Sequence, residues 1–553
     1  MENNPKIDKK MMLIGMAFLL IVLSPFTTEI LAQPKPEGTL NVAVAELAEE
    51  GFFGDLGDLE QAWAWVNVGE FPFYVDPRNG NPIPALATGY EYSKDNLTLT
   101  LHVRKGVPWQ DKEKWGEVTA EDVKYTMERA MQPGSTSNIK DALVATVQSM
   151  EVPDPYTFVM HLKAPAPEVW RTFFAIATPA APILCKKYIE TVGEDKARWE
   201  PIGSGPYRLV ERKAGQYLKF EAVEKHWRVV PEYKYLVLHI VPEESTRMAM
   251  IKTGKIDGAR FSLLQLSTLQ NTPGIKTDYR IGGYSLNYCF GGMITPKDSR
   301  YKEGYHGKDP WHINMPNSIK VREALSIAID RQAIIKAIYK GNAKAATVCF
   351  PTPGWDKLPP IPYDPDRAKK LLAEAGYPDG FRVQVASYSG GSAVETRDVT
   401  EIIAGYLTKI GLKVEIRHYD TEALDNLNRT AKTAGMIFAN AETYKVSYTG
   451  RFYDKFWAES NPTIFMSDEH AALVEKYESE TDPQKRAAAL AAVRDYHYKN
   501  WVAMPLTVAE TLWGYREAAI GDWAKSIVSR LPYFEYVRHP KPLNTWRLFT
   551  PGE

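Results

Sequence analysis

Two short boxes in this sequence carry residue types that do covalent chemistry, Ser137-Asn138-Ile139-Lys140 and Lys252-Thr253-Gly254. They match the Ser-x-x-Lys and Lys-Thr-Gly boxes of the active-site serine enzymes that open β-lactams. The third box fails. Ser467-Asp468-Glu469 lacks the required asparagine and comes after the Lys-Thr-Gly instead of preceding it. Lys252-Thr253-Gly254 also falls at the exit of an expected helix over Ser245 to Ile251, where that chemistry needs a strand. A serine hydrolase acting on peptides or β-lactams is thus a remote alternative, and no catalytic residue is assigned. There is no Gly-x-Ser-x-Gly elbow, phosphate-binding P-loop or His-Glu-x-x-His helix. The ten histidines are scattered. Cys185, Cys289 and Cys349 have no metal-ligand spacing, and none stands beside a histidine in the sequence, so they read as buried inert thiols, at least one of them unpaired. No metal and no cofactor is expected. Gly203-Ser204-Gly205 suggests a phosphate cradle, but no helix comes next to offer its N-terminus, so the segment reads as a turn holding a hairpin.

What is left is the chemistry of binding. Phe52, Phe53, Trp63, Trp65, Phe71, Phe73 and Tyr74 crowd an irregular segment after a first strand at Gly38 to Val44. Such density in a loop makes either a lid over a core or a wall against a ligand. The formal net charge of -1 over 553 residues gives no field for nucleic acid or an anionic membrane, and no basic run is interleaved with aromatics. The length demands two or more lobes. At the amino terminus Lys6, Lys9 and Lys10 precede an apolar run from Met11 to Leu23 and then Ile30-Leu31-Ala32-Gln33. That is the layout of a secretory signal peptide over residues 1–32, although an uncleaved anchor reaching Phe26 is the alternative. Secretion without a disulfide framework means a fold held by its core.

The elements that must position a site are legible in several places. Val321 to Gly341 reads as one helical element, with Ser318 as its cap, Gly341 as its left-handed exit and a buried stripe through Val321, Leu325, Ala328, Ile329, Ile334, Ile335 and Ile338. Leu97, Leu99, Leu101 and Val103 alternate as a half-buried strand, which leaves His102 on the surface. Thr119-Ala120-Glu121-Asp122 fits a capping box. Asp364-Pro365 opens a helix closed by Gly376, and the order strand (Phe381 to Val385), helix (Thr400 to Lys409), strand (Gly411 to Ile416) implies a right-handed crossover in a mainly parallel sheet. A helix over Pro483 to Asn500 precedes a strand at Trp501 to Val508 that brings the chain back toward the first lobe.

Five blocks, in order, carry a family resemblance: ALATGYEYSKDNLTLTLHVRKGVPWQ with TAEDVKYTMERAM, PIGSGPYRL with His226-Trp227 after it, Lys255-Ile256-Asp257 after its helix, VREALSIAIDR, and YDPDRAKKLLAEAGY. Together they resemble the family 5 extracellular solute-binding proteins, the oligopeptide- and dipeptide-binding group of ABC importers. The chain departs from the family at Asp111 to Gly116, longer and more charged than the usual Asp-Gly-x-Pro turn. The resemblance implies an α/β, bilobal periplasmic binding protein of the type II fold with an extra subdomain in the first lobe. It implies a first lobe over 38–283, with the inserted subdomain at about 60–200, a second lobe over 284–510, and a return to the first lobe over 511–553. It further implies a monomer outside the cytoplasm that closes on a peptide and docks on ABC permease subunits in the membrane. An oligosaccharide or another small solute in the same cleft, or a chemosensory role, are the alternatives. By position in the family's order, the ligand-binding residues are Trp63 and Trp65 from the first lobe, Tyr284 and Asn287 from the crossing segment Tyr284 to Cys289, and Glu442, Tyr444 and Tyr448 from the second. Peptide binders of the family present an aspartate to the peptide ammonium where this chain has Ile437-Phe438-Ala439-Asn440-Ala441-Glu442-Thr443-Tyr444. Glu442 is either its substitute or a solvated surface residue.

Overall fold

A computed structural model describes residues 35–45, 47, 50–52, 64–75, 81–135, 137, 139–175, 182–278, 284–349, 351–389, 393–443, 467–521, 527–528, 531–532, 534 and 537. The apolar run Met11 to Leu23 lies outside them. No helix among the described residues is long and apolar enough to cross a membrane. The chain divides into Met1–Lys35 and a unit Pro36–Glu553, and the described sheets all belong to the second unit.

Strand β1 (Thr39–Val44) is succeeded by a short hairpin, β2 (Phe73–Val75) and β3 (Pro82–Pro84), and by an antiparallel group, β4 (Ala87–Tyr92), β5 (Thr98–Val103), β6 (Val147–Asp154) and β7 (Thr157–Leu162). Next come β8 (Tyr207–Lys213), β9 (Tyr217–Ala222), β10 (Tyr235–Ile240), β11 (Gly258–Phe261) and β12 (Ile275–Asp278). The chain continues through β13 (Tyr284–Phe290), β14 (Ala343–Ala345), β15 (Arg382–Ser389), β16 (Lys413–Asp420), β17 (Met436–Thr443), β18 (Ala503–Ala509) and β19 (Leu512–Arg516). The first sheet has the order β12-β19-β11-β1-β10-β9-β8, the second β14-β18-β13-β17-β15-β16, and the four-stranded group β4-β5-β7-β6.

Alternation in β1 sorts its side chains between two cores. Leu40, Val42 and Val44 join Trp65, Phe220, Leu236 and Leu238 on one face of the first sheet. Ala43 on the other face belongs with Ala259 and Phe261 to a cluster that runs on into the second sheet through Tyr284, Leu286 and Leu325. The four-stranded group has its own core, in which Leu99, Leu101, Phe158 and Met160 meet Met127 from the helix Ala120–Met131. Thr119 and Asp122 form the expected capping box of that helix.

Three sequence readings need correction. The second sheet is mixed: β15 pairs in parallel with β16 and β17, but β13 is antiparallel to both β17 and β18. Only the crossover portion, built on the helix Thr396–Lys409, has the expected parallel geometry. Gly203 and Gly205 do not turn the β8–β9 hairpin, whose turn contains Gly215 at φ 67°. They lie against the backbone of Val68, where a Cβ on Gly203 would stand 1.8 Å from the Val68 carbonyl oxygen. Val321 to Gly341 is two helices, Ser318–Ile327 and Arg331–Ala337. Asn317, at φ 58°, takes the first cap position, and Ser318 is already helical. Asp330 caps the second helix by accepting from the Ala333 N–H at 2.9 Å, and Gly341, at φ 84°, donates to the Ile335 carbonyl beyond its end.

That break explains the polar letters in VREALSIAIDR. The buried Arg331 guanidinium donates to the carbonyls of Pro505 (2.7 Å), Ser326 (3.0 Å) and Ile329 (3.2 Å) and to Ser326 Oγ (2.9 Å). Arg322 reaches the carbonyls of Asn500 and Trp311 and the Ser318 hydroxyl. Burial lowers both, Arg331 to about 9 and Arg322 to about 10. Both stay charged at neutral pH and tie the helix pair to β18 and the end of the helix Pro483–Lys499.

A second buried charge joins the first sheet to the four-stranded group. Glu70 accepts from Arg228 Nη2 (3.0 Å) and Nε (3.1 Å) and from Trp227 Nε1 (2.8 Å). Arg104, at the end of β5, lies over the Trp227 ring at 5.2 Å and donates to the Ala85 carbonyl. Burial resists ionisation of Glu70, but its interactions with His226, Arg228 and Trp227 overcome it and bring the pKa down from 4.5 to about 2. A depressed carboxyl stabilises the fold fully above its unfolded pKa, and that stability is lost as pH falls through the folded value. Glu70→Gln should therefore cost about 3 kcal/mol at pH 7, with the deficit shrinking from pH 4.5 toward 2, as read from urea unfolding across that range. A deficit unchanged with pH would show that Glu70 contributes no linked proton.

Candidate functional site

In open α/β sheets, ligands lie beyond the carboxyl ends of the parallel strands. Here those ends are Val44, Ile240 and Phe261 in the first sheet and Ser389, Asp420 and Thr443 in the second. Half-buried polar bonds fix the first of these edges. Glu244, opening the helix Glu244–Lys252, accepts from the backbone N–H (2.5 Å) and hydroxyl (3.1 Å) of Ser262, just past β11. Arg247 on the same helix donates to the carbonyls of Val241 and Pro242, just past β10, at 2.7 Å each.

On the second edge β13 is the organising strand, and all seven of its side chains are buried. Tyr284 donates to Glu395 Oε1, and Tyr339, after the helix Arg331–Ala337, donates to the same oxygen at 2.5 Å. The Tyr339 hydroxyl in turn accepts from Thr507 Oγ1 of β18 at 3.1 Å. Burial pushes the Glu395 carboxyl up, against the two phenol bonds and the charge of Arg260 on β11. Burial and the neighbouring Glu395 push Tyr284 well above the ordinary phenol value. Asn287 donates to the Cys349 carbonyl at 2.7 Å, while its buried Oδ1 finds no hydrogen-bond partner among the described residues.

The residues expected to touch ligand divide accordingly. Trp63, Tyr444 and Tyr448 lie outside the described residues, as does the side chain of Glu442. Trp65 is buried, its ring 3.7 Å from that of Phe52 in the first-sheet core, where Phe71 and Tyr74 also pack. Tyr284 and Asn287 are buried and committed to internal bonds. Tyr284 to Cys289 is no crossing segment but a strand within the second sheet, and the crossing precedes it. By register Ser285 stands opposite Glu442 and Tyr284 opposite Thr443, so the strand that holds Tyr284 and Asn287 pairs with the one that holds Glu442. Glu395 was not singled out from the sequence, and nothing in its local pattern marks it, since its partners come from Tyr284 and Tyr339, far away in sequence.

Two constellations resemble catalytic machinery. Ser387 Oγ lies 2.6 Å from His418 Nδ1, and His418 Nε2 lies 3.3 Å from Glu401. Ser387 and His418 are register partners on β15 and β16, and Ser387 is only 1% exposed, so this is a cross-strand bond with no opening for a substrate. Cys349 Sγ lies 3.2 Å from His497 Nδ1, and His497 Nε2 lies 2.9 Å from His470 Nε2. The expectation that no cysteine has a histidine neighbour holds only along the sequence. Burial lowers both imidazoles, His470 to about 4, and so keeps the pair neutral. No group of three or more metal-type ligands forms among the described residues. The Ser-x-x-Lys box does not assemble either, since the Lys140 ammonium turns to the Ser135 carbonyl.

The model of the bacterial extracellular solute-binding proteins, family 5, matches residues 81–463. The glutathione-binding protein GsiB of Salmonella choleraesuis is 28% identical over 513 residues, 88% of each chain. Heme-binding protein A of Haemophilus influenzae is 28% identical over 357 residues, and the match spans 62% of that protein. A periplasmic binding protein, DppA of Helicobacter pylori, solved with the peptide STSA, superposes with a TM-score of 0.77 over 91% of this chain and 98% of that one, at 22% identity.

All three cysteines are free and buried, and burial pushes the Cys185 thiol up to about 12. Ellman's reagent should accordingly find no fast-reacting thiol in the native protein and three after unfolding in guanidinium. Rapid reaction in the native state that Cys349→Ala abolishes would show that the Cys349–His497 couple is open to solvent.

Proposed function

The chain belongs to family 5 of the bacterial extracellular solute-binding proteins, and from that membership we propose that it is the extracytoplasmic receptor of an ABC importer that carries peptides. The observation that carries this reading is the joining of two α/β sheets by side-by-side connections, with the carboxyl ends of the parallel strands as the ligand edges. Ligand bound to both lobes favours the closed form by its differential affinity, and the closed form is what a permease would recognise. In this reading 38–283 is the first lobe, with the subdomain at about 60–200, 284–510 the second, and 511–553 the return. The separate membership of β1, β8–β12 and β19 in one sheet and β13–β18 in the other supports it. The protein acts by binding alone, as a monomer, with no nucleic-acid partner.

For the ligand, Glu442 is proposed to receive the peptide ammonium, with Tyr444, Tyr448 and Trp63 as aromatic neighbours. Tyr284 and Asn287 act from behind, as the support of the strand that pairs with β17. Relatives named for glutathione and for a dipeptide favour a short peptide. One named for heme adds a tetrapyrrole as a second class.

A thermal-shift screen of the mature protein with di- to pentapeptides, glutathione, hemin and oligosaccharides tests the ligand. A ligand at ~100 times its dissociation constant adds ~2.7 kcal/mol of apparent stability. A peptide is expected to produce this shift and to lose it in Glu442→Gln. A peptide shift untouched by the substitution removes the ammonium role, and a response to sugar or hemin alone removes the peptide reading. Export is tested separately. Amino-terminal sequencing of the secreted protein should begin at Gln33, and retention of Met11 to Leu23 in a membrane fraction would replace the soluble receptor with an anchored one.

A further inference from the structure

We propose that Glu395 is a positioning residue for the hinge: one carboxyl oxygen that holds the second-sheet ends of both interlobe connections and ties them to the ligand edge of β15. The proposal rests on the reading of the protein as a hinged receptor. Between the sheets the chain passes from Asp278 to Tyr284 and returns from Ala509 to Leu512. On the first-sheet side Asp278 stands opposite Trp513, and on the second-sheet side Tyr284 stands opposite Ala509. The paired strands β12–β19 and β13–β18 are therefore the elements about which one lobe would turn against the other.

Glu395 grips both exits. Tyr284, the first residue of β13, donates to Oε1 directly. Thr507, two residues before the end of β18, reaches the same oxygen through the Tyr339 hydroxyl, at 3.1 Å and then 2.5 Å. All four side chains are buried, so no water competes for these bonds. Glu395 also stands directly before the helix Thr396–Lys409, whose Thr396 hydroxyl donates to the Tyr388 carbonyl of β15 at 2.6 Å. A displacement at the carboxyl end of β15, where ligand is proposed to bind, is thus carried through one rigid group to both hinge strands. Burial pushes the Glu395 carboxyl up, and the two phenol bonds and the charge of Arg260 from the first sheet act against it. A gripped hinge has few angles open to it without ligand, and a released one has many.

The test is the interlobe distance distribution of the ligand-free protein, read by electron-spin resonance between labels at Glu91→Cys and Lys370→Cys, two exposed positions. The background is wild type, Glu395→Gln, Tyr339→Phe or Thr507→Val. Glu395→Gln should widen the distribution, and Tyr339→Phe and Thr507→Val should widen it less, each with the near-ultraviolet circular dichroism of the folded protein. For a peptide retained by the wild type, the dissociation constant should rise about tenfold in Glu395→Gln, equivalent to about 1.4 kcal/mol. Superimposable distributions in wild type and Glu395→Gln overturn the proposal. Where Glu395→Gln does not fold, superimposable distributions in Tyr339→Phe and Thr507→Val overturn it instead. A wild-type distribution that no peptide shifts would count against the peptide reading, while the ligand-free comparison still decides the role of Glu395.

Discussion

The constraint on which the rest of the structure depends is that the chain leaves the first sheet and re-enters it through adjacent strands. β12 and β19 are antiparallel neighbours in one sheet, and β13 and β18 are antiparallel neighbours in the other. Only Glu510 and Thr511 separate β18 from β19. At no more than about 3.6 Å per residue, two residues cannot carry the second sheet far from the first. Little freedom of translation is left, and rotation about the paired connections becomes the natural motion. The same constraint dictates the mixed second sheet. Strands that continue a two-way crossing must run in opposite directions side by side, so β13 and β18 impose an antiparallel centre, and the crossover strands β15, β16 and β17 attach beside it.

A chain organised in this way needs joints that set orientation, and the joints are buried polar groups. Hydrophobic surface drives association but has no direction, and it tolerates sliding. Arg331 can satisfy its donors only where the carbonyls of Ser326, Ile329 and Pro505 converge, which fixes the helix pair on β18 to within hydrogen-bond tolerance. Glu70 does the same between the first sheet and the four-stranded group. Such groups are costly to desolvate, and an apolar replacement of equal volume can match or exceed their net stability. Their contribution here is one alignment among the many that a greasy interface would allow.

Much of the fold was legible because its signals are local. The capping box at Thr119, the strand through Leu99 and Leu101, the Pro365 helix and the crossover from β15 to β16 each arise from spacing alone, and ordered blocks identified the family. The failures have one physical origin, which is that pairing partners distant in sequence decide the outcome. The direction of β13 is set by β17 and β18, not by its own residues. Gly203 and Gly205 are small because the Val68 carbonyl presses on them, and a turn reading cannot see Val68. Val321 to Gly341 carries a continuous apolar stripe, and the break at Asp330 is visible only once Arg331 is known to need carbonyls instead of solvent. For the site, Trp65 stands in a core cluster, and in sequence an aromatic cluster looks alike whether it lines a cleft or fills a core.

The resemblance blocks also explain why family membership transmits the architecture better than the ligand. Arg104, Gly203, Gly205, Trp227, Arg322 and Arg331 all stand at joints between modules, held against backbone or, for Trp227, bonded to Glu70. Their requirements are set by the fold and are the same for any solute. At the carboxyl ends of the parallel strands the bonds of the fold meet backbone, as from Arg247 to the Val241 and Pro242 carbonyls and from Thr396 to the Tyr388 carbonyl, and a backbone carbonyl is offered by any residue. Relatives named for glutathione, a dipeptide and heme share the 28% level of identity with this chain, which is what a common set of joints beneath exchangeable edges would produce. Selectivity is then a property of a few residues at those edges, and the buried network behind them, Glu395 included, determines how firmly whatever binds there is held.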